Sequence, residues 1–275
     1  MPVEGTRYFY RFRLFNRILH VMVIVSFLGL ALTGMSLKFA DAGWAQFLSM
    51  IIGGPMVARV WHRVFAIVTF CYFGLHIANI IASIVRKGGK RTFWGPDSMM
   101  PQPIDFVHFF QNVRHFLGLG PAPKFDKYTY WEKFDYFAVF WGVAIIGSTG
   151  LVLWFPTFFA RLLPGIVINA AIIVHSDEAL LAVCFIFLIH FFNTHLRPEK
   201  FPMDKVIFTG RVTEEELKTE RPAEYERLVK SGGLERLRAK PPRHYLYTVA
   251  RVGGFAAVAI GLCLVVLIIF SLIKG

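Results

Sequence analysis

The chain has 275 residues, of which 55% are hydrophobic and only 17% charged, and its formal net charge is +12. A soluble domain of this length does not need so many apolar residues, and several runs exceed the roughly 18 residues that mark a bilayer span. The charge does not point to nucleic acid, because Lys and Arg sit almost wholly between the apolar runs, where they meet the cytoplasm and anionic lipid.

Five spans are predicted, giving an all-α membrane protein, a transmembrane helical bundle. Arg7, Arg11, Arg13 and Arg17 precede the first apolar run. That run is longer than the ~7–15 residues of a signal-peptide core and has no clear cleavage site, so it reads as the first span. The spans are placed at residues 18–39, 60–85, 134–155, 166–192 and 247–273, with Pro156 closing the third. The loop over residues 40–58 carries no Lys or Arg, and that over 156–165 has only Arg161. Residues 86–133 carry Arg86, Lys87, Lys90, Arg91, Arg114, Lys124, Lys127 and Lys133, and the segment after Phe192 is also basic. Positive loops stay inside, so the N-terminus is expected in the cytoplasm and the C-terminus in the periplasm of a bacterial inner membrane.

Two loops have a readable pattern. Over residues 104–117, Phe106, Phe109, Phe110, Val113, Phe116 and Leu117 recur at helical spacing, opposite Asp105, His108, Gln111, Asn112 and His115. That is an amphipathic helix for the inner membrane surface. Thr213 to Glu216 reads as a capping box, with Pro222 interrupting the helix it opens and Ser231-Gly232-Gly233 ending the next one. Cys71, Cys184 and Cys263 all lie in apolar runs and read as membrane-buried thiols, and the absence of CxxCH excludes covalent c-type haem attachment.

The histidines carry the chemistry. His20, His62, His76, His175 and His190 lie in or at the ends of spans, where ionisable groups are costly and functional by default. His20 enters from the inside. His62 and His175 fall near the outer surface, and His76 and His190 lie 14 and 15 residues further along their helices. At 1.5 Å per residue this makes two tiers about 20 Å apart: an outer pair, His62 and His175, and an inner group, His20, His76 and His190. A phase error of about 40° for 14 residues and 60° for 15 keeps each pair near one helix face. Two tiers of neutral imidazole on neighbouring helices are what two stacked haems require. Gly29 and Gly34 in span one, and Gly142, Gly147 and Gly150 in span three, let bulky groups pack close. Gly253, Ala257 and Gly261 in span five form a small-residue face for packing within the bundle or against another subunit.

The sequence resembles the gamma-subunit family of membrane-bound formate dehydrogenases, di-haem cytochromes b that also serve some hydrogenases and thiosulfate reductases. The matching pieces are FNRILHVMVIVSFLGLALTGMSL, RVWHRVFAI, YWEKFDYFAVFWGVAIIGSTGLVLWFP, AIIVHSDEALLAVCFIFLIHFF and KVIFTGRVTEEE, in the family's order over residues 8–230. The resemblance implies four haem-core helices within residues 1–245, the segment 196–245 being cytoplasmic, with residues 246–275 an additional helix. It implies two haem b, the inner held by His20 and His190 and the outer by His62 and His175. His76 is a fifth membrane histidine, either a replacement for His20 or a contact to a haem propionate or a quinone.

The resemblance also implies a quinone site at the start of span three, residues 127–135, with Tyr130, Trp131, Glu132 and Asp135 as candidates beside His76. Glu132, Asp135 and His76 are the candidate proton carriers there. Asp177 and Glu178 follow the outer ligand His175, and Arg197 and Lys200 follow span four. The implied role is a quinone-reactive electron-transfer subunit of a respiratory oxidoreductase in a hetero-oligomeric complex. Its outer partner would be an iron–sulfur or multihaem cytochrome subunit. A haem-free anchor or a proton-relaying transporter is the competing reading, and no inverted repeat supports it.

Overall fold

The computed structural model describes residues 6–197, 200, 201 and 203–274. Residues 1–5, 198, 199, 202 and 275, which the expected divisions 1–245 and 246–275 include, lie outside the described residues.

Five helices are long and apolar enough to cross a bilayer: α1 (Leu14–Lys38), α3 (Pro55–Lys87), α6 (Tyr130–Trp154), the helix Gly165–Leu196 and α12 (His244–Lys274). Each exceeds the roughly 20 residues that span a ~30 Å hydrocarbon core. Hydrocarbon offers no hydrogen bonds, so a spanning segment must satisfy its own backbone, which a helix does. Large apolar side chains line their outsides: Val60, Ile67, Leu75 and Ile81 on α3 are all exposed. This is a multi-pass, all-α membrane protein. The expected ends hold to within about five residues.

Short elements connect the spans. The loop over residues 40–58, which has no Lys or Arg, contains α2 (Gly43–Ile52), which the sequence reading left unassigned. Then come α4 (Gly89–Phe93), α5 (Pro103–Phe116) and α7 (Pro156–Phe159). The fourth span begins as α8 (Gly165–Cys184) and continues as two π-helical stretches, Phe185–His190 and Phe192–Leu196. The segment after it carries α9 (Val206–Thr209), α10 (Glu214–Glu220) and α11 (Pro222–Lys230). The Thr213 cap is present, its hydroxyl accepting from Glu216 N at 3.1 Å. Pro222 opens α11, and Ser231 follows its end.

The chain forms two compact units. The first takes His76–Ala138 and Lys205–Arg251 with the N-terminal stretch up to Arg17. Here a small antiparallel sheet has β1 (Tyr8–Tyr10) between β2 (Arg211–Thr213) and β3 (Arg238–Ala239), with Phe9 opposite both Val212 and Arg238. Phe9 packs with Val212, Leu217 and Leu234 in a small core. In α5 the polar residues Asp105 and Asn112 are buried, while Phe106, Phe110 and Phe116 are turned outward. Gln111, Arg114 and His115 are exposed as well, so α5 presents both aromatic and polar groups on its outside, which suits a membrane surface.

The second unit takes Ile18–Leu75, Val139–Asp204 and Val252–Gly275. Its core joins Ala31 and Met35 of α1, Val183, Phe187 and Phe191 of the fourth span, and Leu264, Val265 and Ile268 of α12. Of the expected small-residue face of α12, Ala257 and Gly261 pack inside this unit, whereas Gly253 is exposed with nothing within 4 Å of an added Cβ, and Gly254 is buried in its place. A Cβ on Gly261 would stand 2.2 Å from Phe187 Cδ1, and Phe187 is itself fully buried. A Gly261→Ala chain is expected to lose about 1–3 kcal/mol, the usual cost of overpacking a filled core. Gly254→Ala should cost less, because its Cβ would meet the flexible end of Met203. Thermal unfolding in detergent compares the two, and equal losses would contradict this reading.

Candidate haem-ligand sockets

The outer pair is the best-defined site. His62 stands on α3 and His175 on α8, with ring centroids 6.2 Å apart and ring planes at 73°. Each imidazole is fixed from behind. His62 Nδ1 lies 2.9 Å from Thr33 Oγ1, and Thr33 donates its own hydroxyl proton to Gly29 O at 2.6 Å. The hydroxyl is thus left to accept from His62 Nδ1–H. His175 Nδ1 lies 2.9 Å from Ile146 O and 3.3 Å from Thr149 Oγ1, whose proton goes to Ile145 O at 2.6 Å. A carbonyl only accepts, so His175 Nδ1 carries the proton. These bonds assign both rings the tautomer with a bare Nε2, the form that ligates a metal.

The neighbours of those threonines make room for the rings. A Cβ on Gly34 would lie 3.1 Å from His62 Cε1, and one on Gly150 would lie 2.9 Å from His175 Cε1. The two sockets share a Thr-Gly pair on α1 or α6 that sets threonine beside Nδ1 and clears the ring through glycine, although Ile146 O is the nearer partner of His175. Both pairs, Thr33-Gly34 and Thr149-Gly150, stand in the sequence. The sequence reading used the glycines and passed over the threonines. The repeated dipeptide, one pair per neighbouring span, was the available signal.

The pair fits haem and fits a bare ion poorly. Two metal–imidazole bonds of about 2 Å each, plus the radius of each ring, place two centroids about 6 Å apart. No group of three or more His, Cys, Asp or Glu residues suited to an ion occurs among the described residues. A zinc ion takes about four such ligands, whereas a porphyrin brings four of its own and asks the protein for two.

At the C-terminal end of the fourth span, His20, His190 and His195 gather within electrostatic reach of one another, with Asp204 beside His20 and His195. Five residues on an α-helix would place His195 about 140° from His190. The fourth span is π-helical at this point. An i→i+5 ladder stacks residues five apart, as Arg197 N to Phe192 O at 3.1 Å shows. His195 therefore returns to the face of His190. The same widening accounts for the 15-residue step from His175. With one residue absorbed in the wide turn, the phase error falls to the roughly 40° of a 14-residue step. His195 Nδ1 is buried and has no hydrogen-bond partner among the described residues.

The candidates His76, Tyr130, Trp131, Glu132 and Asp135 belong to the first unit. His76 Nε2 bonds Tyr136 OH at 2.8 Å. The Tyr130 hydroxyl accepts from Asn112 Nδ2 at 3.0 Å, and its ring packs against Trp131 and Phe125. Glu132 is heavily engaged. It takes Arg221 Nη2 on both oxygens at 2.9 Å, and Thr129 N and Oγ1 at 2.7 and 2.9 Å. With Glu132 N returning to Thr129 Oγ1, this is a capping box at the start of α6. Asp135 has a buried Oδ1. Nearby, burial pushes the Tyr128 hydroxyl up to about 12, so it stays protonated at ordinary pH. At the outer end, Asp177 pairs with Lys38 at 2.8 Å.

A Gly150→Val chain is expected to push the His175 ring out of its socket while leaving His62 in place. Haem counted per chain should fall by one, and a full count would show that the ring position is not fixed by this contact.

No protein-family model matches the chain. It is similar to the cytochrome b556(Fdn) subunit of the nitrate-inducible formate dehydrogenase of Escherichia coli K12, at 22% identity over 183 residues, covering 66% of this chain and 75% of that one. The same subunit in E. coli O157:H7 and in Shigella flexneri matches equally.

Proposed function

We propose that this chain is a di-haem cytochrome b, the quinone-reactive subunit of a respiratory oxidoreductase in a bacterial inner membrane. The observation that carries the reading is the outer socket: two imidazoles 6.2 Å apart, each held through Nδ1. Its likeness to a cytochrome b556 subunit supports the same conclusion. The outer haem b takes His62 and His175, and the inner takes His20 and His190. Each haem, when bound, supplies a one-electron iron couple, and bis-histidine coordination suits that to electron transfer. The protein's part is to fix tautomer, ring position and an apolar wall.

The quinone site lies on the inner side, at the entrance of α6, with His76, Tyr130, Trp131, Glu132 and Asp135 as its residues. Within that set the work divides. Glu132, bound to Arg221 and Thr129, holds the helix entrance. The His76–Tyr136 pair and Asp135 are the groups suited to pass protons to a quinone. The loop charges orient the N-terminus to the cytoplasm and the C-terminus to the periplasm. An outer iron–sulfur or multihaem subunit exchanges electrons with the outer haem, near the surface marked by Lys38, Asp177 and Glu178. The outward aromatic face of α5 rests in lipid at the inner surface. The additional helix is the fifth span.

The test is a dithionite-reduced-minus-oxidised spectrum of the purified chain, with haem counted per protein. Two b-type haems per chain are expected. A folded chain that takes up none despite adequate haem supply sinks the electron-transfer reading in favour of an anchor or proton relay.

A further inference from the structure

The two outer sockets look alike, but their hydrogen bonds differ. His175 Nδ1 has a backbone carbonyl at 2.9 Å, with the Thr149 hydroxyl a longer second partner at 3.3 Å. His62 Nδ1 has, among the described residues, only the Thr33 hydroxyl at 2.9 Å. Thr33 is 3% exposed, so water does not replace it. Its proton is drawn to Gly29 O at 2.6 Å, which turns a lone pair toward the imidazole.

We infer that Thr33 is a positioning residue that sets the donor strength of His62 and, through it, the potential of the outer haem. The inference rests on the proposed di-haem reading. A hydrogen bond accepted from Nδ1–H leaves more electron density on Nε2. A stronger imidazole donor favours the oxidised iron, so removing the acceptor favours the reduced iron and raises the potential. The couple takes up one electron, and no bond to the imidazole forms or breaks. Thr149 does not have this role, because Ile146 O keeps its bond to His175 when the threonine is gone. The expected size is about a fivefold change in the reduction equilibrium, the roughly 1 kcal/mol typical of one buried hydrogen bond, or about 40 mV for a one-electron couple.

The experiment is a spectroelectrochemical titration of the purified holoprotein with Thr33→Val, Thr33→Ser and Thr149→Val. Valine matches threonine in shape, so His62 keeps its packing. One haem in Thr33→Val should titrate higher by about fivefold in its equilibrium, with the other unmoved. Thr33→Ser should restore the native value, and Thr149→Val should change little. Loss of one haem in Thr33→Val and its return in Thr33→Ser would also assign the role to the hydroxyl. Unmoved or lowered potentials in Thr33→Val, an equal rise in Thr149→Val, or haem loss in both Thr33 variants would overturn the inference. A native chain that binds no haem is a different result, because it removes the cytochrome reading itself.

Discussion

A His175→Ala chain is expected to hold one haem in place of the two proposed for the native chain. His62 would remain fixed by Thr33, but one imidazole cannot supply both axial positions of a six-coordinate iron. The b-type band should fall to half its amplitude per chain, and a redox titration should show one step in place of two. His62→Ala should give the same loss, since the two rings serve one site. Two further variants decide the inner ligand. His20→Ala should also cost one haem, and His76→Phe should cost none, because His76 is bonded to Tyr136. Two haems retained in His175→Ala would remove the outer pairing. One haem lost in His76→Phe but not in His20→Ala would transfer the inner ligand to His76.

What the sequence could reveal follows from the range of the interactions involved. A span is a property of some 20 consecutive residues in a solvent that forbids unpaired backbone, so composition alone finds it. The outer pair was legible for a related reason: on helices that must cross the same slab, residue counting is depth measurement. Counting failed where the helix stopped being α. Nothing in Phe185–Leu196 announces a π-helix, and α-helical arithmetic placed His195 on the wrong face. The sheet was hidden for another reason. Tyr8–Tyr10 is three residues long among arginines, too short for an alternation to register, and its partners lie about 200 residues away. Its strand character comes from burying Phe9 against Val212, Leu217 and Leu234, which is a tertiary fact. The sockets lay between these cases. Their glycines could be read as room for bulky groups, but the bond from threonine to imidazole crosses from one helix to the next.

A Lys133→Met chain is expected to lose about 3–5 kcal/mol of stability, the cost of leaving a buried charge without its partner. Lys133 Nζ reaches both oxygens of Asp105 at 2.9 Å, and the two side chains are only 7% and 9% exposed. The pair ties α5 to α6. Asp105 also caps α5, accepting from Gln102 N at 2.6 Å, so that single bond would be left to carry the whole carboxylate. Removing both charges should recover most of the loss, because a buried pair replaced together is often neutral. Lys133→Met with Asp105→Asn keeps a cap and tests this directly by thermal unfolding in detergent. A double variant no more stable than Lys133→Met would mean that the loss is one of shape and not of charge. The result also bears on topology. Counted along the chain, Lys133 is one more positive charge on an inner loop, but its charge is already neutralised inside the protein. The proposed orientation should therefore survive its loss, carried by Arg86 and Lys87 at the end of α3 and Lys90 and Arg91 in α4. Fold and insertion thus draw on different lysines and arginines of the same basic segment.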